Sequence, residues 1–154
     1  MEFAMPRPSG ALHLLGAVSR DAWRGLRRTA RPSALVASRY ALVKCLDDLS
    51  TVADRFTEDV TQSEDGQPRA NAASVCRWQL ARLRTQLEEI EPDVLDRKNK
   101  AVMLRHLKEA MSSAQILSAG YRFHSLDRIC QGGQSLDDHF EALAKLRVKL
   151  IATP

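Results

Sequence analysis

Residues 71–91, NAASVCRWQLARLRTQLEEIE, decide the fold. Cys76, Leu80, Leu83, Leu87 and Ile90 recur at steps of four, three, four and three residues, which lines them up on one face of an α-helix as a heptad seam. Asn71 is a candidate N-cap and Pro92 a terminator, so the spacing predicts a helix over about 71–91. A helix that is apolar along one stripe must bury that stripe against other helices.

The flanking sequence repeats the pattern. Upstream, Leu35 and then Leu42, Leu46, Leu49, Ala53, Phe56 and Val60 predict a helix over about 34–61. Residues 63–69 (SEDGQPR) combine Gly, Pro and charge and read as an exposed loop. Downstream, Met103, Leu107, Ala110, Ala114, Leu117 and Tyr121 form the seam of a helix opening near Asn99, with Leu104 and Met111 beside it. Its two seam alanines imply close helix approach. Gly120 is expected to weaken this helix near its end, with a kink or a short separate turn carrying Phe123, Leu126, Ile129 and Cys130 before Gly132-Gly133. A last helix, capped by Ser135 with Asp138, continues the stripe through Leu136, Phe140, Leu143, Leu146 or Arg147, and Leu150. The expected fold is all-α: an up-and-down bundle of four to five amphipathic helices.

The N-terminal part is different in kind. Residues 1–8 read as a disordered N-terminus or a cloning scar ahead of a native start at Met5, leaving 9–154 as one helical-bundle domain. Over 9–30, Leu15, Val18, Ala22 and Leu26 share one helical face, with Leu12 and Trp23 at its border, while Arg20, Arg24, Arg27, Arg28 and Arg31 cluster opposite. Asp21 is the only acidic residue between Pro6 and Lys44, whereas Asp47, Asp48, Asp54, Glu58, Asp59, Glu64 and Asp65 follow with Arg55 alone among them. A positive block therefore precedes a negative one.

The chain has 154 residues, enough for one domain with a real core and no need of metals or disulfides. With 44% hydrophobic and 27% charged residues and a mean hydropathy of -0.31, it resembles ordinary globular chains, and no apolar run reaches the roughly 20 residues of a membrane-spanning helix. Cys45, Cys76 and Cys130 are odd in number and widely spaced, suggesting neither a disulfide framework nor a zinc site; they read as small buried residues of an intracellular, reducing compartment.

No nucleotide, hydrolase or protease motif is present. Ferritin-like di-iron bundles place Glu three residues before His, but the residues three before His13, His106, His124 and His139 are Gly10, Met103, Tyr121 and Leu136. His106, followed by Lys108, lacks the small neighbours that expose a phosphorelay histidine. Glu88, Glu89, Glu91, Asp93 and Asp96 resemble the clustered carboxylates that hold magnesium, yet their position at a helix end beside Arg97 and Lys98 reads as a solvated, ion-paired terminus. No enzyme activity and no cofactor are expected.

Trp78 stands away from its seam, near Arg82 one turn on. Either another segment covers it, the basic N-terminal helix or 93–98, or it anchors an interface, where Trp and Arg dominate binding energy. The leading expectation is a non-enzymatic protein–protein interaction module, an adaptor or assembly subunit that meets another protein or a second copy of itself through Trp78, Arg82 and the basic face of Arg20, Arg24, Arg27, Arg28 and Arg31, and so through its charge asymmetry. Two alternatives rest on the N-terminal arginines: nucleic-acid binding, weakened by the absence of interleaved aromatics and by the acidic block that follows, and organelle targeting by an Arg-rich transit peptide.

Overall fold

The computed structural model describes residues 34–152, which form four α-helices and one short 3-10 turn. We label them α1 (Ala34–Gln62), α2 (Gly66–Glu89), α3 (Arg97–Arg122) and α4 (Leu126–Ala152), with the 3-10 turn Val94–Asp96 leading into α3. Each helix packs on its neighbour in the chain and α4 returns to α1, closing an up-and-down four-helix bundle. The expected basic helix with Arg20, Arg24, Arg27, Arg28 and Arg31, and the leading residues 1–8, lie outside the described residues. No helix among the described residues is long and apolar enough to cross a membrane.

The seams form the core. Leu42, Leu46, Leu49, Ala53, Phe56 and Val60 of α1 are buried, as are Cys76, Leu80, Leu83 and Leu87 of α2 and Met103, Leu107, Ala110, Ala114, Leu117 and Tyr121 of α3. On α4 the stripe is Leu136, Phe140, Leu143, Arg147 and Leu150, so the seam keeps its four-three rhythm at position 147 by burying an arginine, with Leu146 only partly covered. The Arg147 Nη2 donates to Asp47 Oδ1 of α1 at 3.3 Å, while its Nε and Nη1 find no acceptor among the described residues.

Four expectations need correction. The 63–69 loop is shorter than its composition suggested, because α2 begins at Gly66 and takes Pro68 into its first turn, where a backbone N–H has no intrahelical partner to lose. Asn71 is therefore no cap; its Oδ1 accepts from Gln67 Nε2 inside the helix. No kink follows Gly120 and no break falls at Gly132-Gly133: α3 runs to Arg122, the left-handed residue is His124 (φ 53°), and α4 is continuous from Leu126. Ser125 N–H donates to Gly120 O at 2.9 Å, closing the end of α3 around His124. Ser135, expected to cap a last helix, lies within α4, its hydroxyl 2.7 Å from that of Ser113 on α3.

The two glycines serve packing instead of flexibility. A Cβ on Gly120 would stand 2.8 Å from Ile129 N, and one on Gly132 would stand 2.8 Å from Leu117 N. Backbone cannot yield as a side-chain tip can, so these positions let α3 and α4 approach closely. Pairs 120/129, 117/132 and 113/135 set one antiparallel register for this hairpin.

Candidate functional site

Trp78 projects from the middle of α2 with 59% of its surface exposed, so neither the 93–98 segment nor any other described element buries it; the basic N-terminal segment, the other expected cover, lies outside the described residues. The Arg82 guanidinium lies over its ring, 5.0 Å from the centroid, within cation–π range. Val75, one turn earlier, is also exposed, giving a stripe Val75, Trp78, Arg82 along one side of α2. Between Asp65 and Glu88 the chain carries Arg69, Arg77, Arg82 and Arg84 and no acidic residue, and of these Arg82 is the one that flanks the indole.

The carboxylates near the α2–α3 junction do not form one group. Glu88 pairs with Arg84 at 3.3 Å, Glu91 is exposed, and Asp93 accepts from the N–H of Val94 at 2.8 Å. Asp96 departs from the expected solvated terminus altogether. It is 2% exposed and gripped by Arg39 of α1 through two bonds of 3.1 Å, with Asn99 Nδ2 donating to Oδ1 at 3.1 Å. Burial acts to raise the Asp96 pKa, but the hydrogen bonds from Arg39 and Asn99 and the charge of Arg39 outweigh it and hold the carboxyl below its ordinary value. Lys100 closes the same corner by donating to the carbonyls of Glu88 and Ile90 at the end of α2. The corner is a structural clasp between α1, α2 and α3.

The cysteines divide. Cys45 and Cys76 are buried thiols pushed up to about 12, Cys76 by burial and Cys45 by burial and then by Asp48. Such thiols carry negligible thiolate at neutral pH. Cys130, expected to be buried, is instead exposed on α4, because α4 turns Ile129 inward and leaves its neighbour on the solvent side.

One constellation escaped the sequence analysis. His106 and Glu109 sit one turn apart on α3, and the α3–α4 register brings His139 opposite them. The Nδ1 atoms of His106 and His139 are 3.0 Å apart, with ring centroids at 5.3 Å, and His139 Nε2 lies 3.4 Å from Glu109 Oε2. One ring must donate to the other, so both cannot be protonated without repulsion. Partial burial, the charge of His139 and that of Arg105 push His106 below the ordinary imidazole value, against the pull of Glu109. Beside them opens a groove of about 430 Å³ lined by Arg105, Lys108, Ser112, Ser113, Ser135 and Ile116. A search for Glu preceding His could not find this set. Here Glu follows His106, and the second His belongs to another helix.

No protein-family model, no curated protein and no solved structure matches the chain.

Proposed function

We propose that the chain is a non-enzymatic protein-interaction module, an adaptor or assembly subunit of a reducing intracellular compartment, that docks its partner on the Val75–Trp78–Arg82 stripe. The observation that supports this most is Trp78 itself. A tryptophan held by Arg82 yet left 59% exposed contributes little to the core, and such a residue is the commonest kind of binding anchor. The Arg82 guanidinium beside it calls for a partner surface that presents an acidic group next to an apolar side chain for the indole.

The test couples stability to contact. Trp78→Ala is expected to leave the melting temperature nearly unchanged. A photo-crosslinking side chain at position 78 should capture a partner through an acidic segment, while one at Lys145, exposed on α4, should not. Arg82→Glu should abolish that capture. Sedimentation velocity over a wide concentration range decides whether the partner is a second copy. A loss of about 3–5 kcal/mol on Trp78→Ala, as for a buried aromatic, would make Trp78 a packing residue and end the proposal. Equal crosslinking at 78 and 145 would do the same.

A further inference from the structure

From the placement of His106, Glu109 and His139 we infer a binding site for a divalent transition-metal ion, zinc by preference, that bridges α3 and α4. One ligand atom from each of the three lies within 4.8 Å of the other two. The two imidazole nitrogens at 3.0 Å are already near the separation of about 3.3 Å that two nitrogens take around one tetrahedral zinc with bonds of about 2.0–2.1 Å. Small ring rotations suffice on that side. The carboxylate is the adaptable member: its Oε2 stands at His139 Nε2, the other nitrogen of that ring, but half of the Glu109 side chain is exposed, so it is free to swing to the Nδ1 side and onto the ion.

The donor chemistry points the same way. Two neutral imidazoles and one carboxylate suit borderline metals such as zinc, whereas calcium and magnesium prefer oxygen ligands alone. Metal ligation needs deprotonated rings, so the ion competes with protons for both imidazoles. The scaffold is preorganised, because Gly132 and the Ser113–Ser135 contact fix the α3–α4 spacing one to two turns away. Three protein ligands leave a coordination position open. It faces the groove, where Arg105 and Lys108 stand exposed on the rim and Ser112, Ser113 and Ser135 lie along the wall. The rim cations oppose the metal charge, but solvent screens them; they favour an anion or hydroxide over neutral water as the fourth ligand. The site is remote in sequence from Trp78 and does not depend on the docking role.

The test uses the untagged full-length chain in a Cys130→Ser, His124→Gln background, which removes two exposed donors from competition. Zinc is titrated against a chromogenic chelator, and cobalt(II) serves as a spectroscopic probe. One zinc per chain is expected with micromolar or tighter affinity, together with a rise in melting temperature and the visible absorption of four- or five-coordinate cobalt. His106→Gln and His139→Gln should each weaken binding at least tenfold and remove the cobalt bands. Glu109→Gln, at an exposed position where folding is not at risk, should weaken it to a smaller degree. Zinc binding weaker than about 100 μM, or binding unchanged by these three substitutions, would overturn the proposal.

Discussion

Asp96 shows how much a single side chain can hold together. Its carboxylate is buried where the 3-10 turn meets α1, and Arg39 reaches it from 57 residues away. Because its folded-state pKa is depressed, the folded protein takes up this proton less readily than the unfolded chain does. The contribution to stability is present above the ordinary carboxylate value of 3.8 and is lost as the pH falls below it towards the depressed value. Thermal melts from about pH 6 to pH 2 should therefore fall more steeply for the wild type than for Asp96→Asn over the acid end. Arg39→Met leaves the carboxylate buried without its guanidinium and is expected to cost about 3 kcal/mol at neutral pH. An unchanged melt for Arg39→Met would mean that the pair is no more than a surface contact. Neither half of the clasp was legible in the sequence. Asp96 reads there as one of several acids at a helix end, since nothing local reveals a partner so distant.

The helices themselves were largely legible, because each seam is a property of its own segment. Periodicity names most of the buried residues of α1, α2 and α3 without knowledge of what they face, though it missed Val43, Ala70 and Ala73, and Ile90 at the end of the α2 seam is only partly covered. Glycine is where local reading failed. Gly120 and Gly132 resemble helix weakeners when seen alone, and their role as contact points appears only when α3 and α4 are brought together. The same gap hid His106, Glu109 and His139. The adjacent glycines offer a matched test of this reading. Gly132→Ala drives a methyl group into the backbone at Leu117 and is expected to destabilise by about 1–3 kcal/mol. At Gly133 the nearest neighbour of an added Cβ is Leu117 Cδ1 at 4.0 Å, so Gly133→Ala should stabilise by about 0.5–1 kcal/mol through helix propensity alone. Denaturant melts of the two variants should move in opposite directions. Movement in the same direction would show that the close crossing is misplaced.

At the scale of the whole molecule, a bundle built on repeating leucines has a weakness that its stability conceals. A heptad stripe slid by one repeat against its neighbours still presents apolar side chains to apolar side chains, so many alignments lie close in energy. Arg147 removes that freedom. Set in the α4 stripe with its one described acceptor, Asp47, 100 residues earlier in the chain, it is tolerable in one alignment, because a slide would strand a bare guanidinium among leucines. Arg147→Leu is accordingly expected to leave the melting temperature unchanged or raise it, by the equivalent of up to about 1–4 kcal/mol. The same variant should broaden or multiply amide resonances from α1 and α4 and increase binding of a hydrophobic dye. Sharp, single resonances would show that the leucines alone choose the alignment. The arginine is thus an indexing pin, a part whose service lies in the wrong assemblies it forbids, and a melting curve alone would mistake it for a flaw.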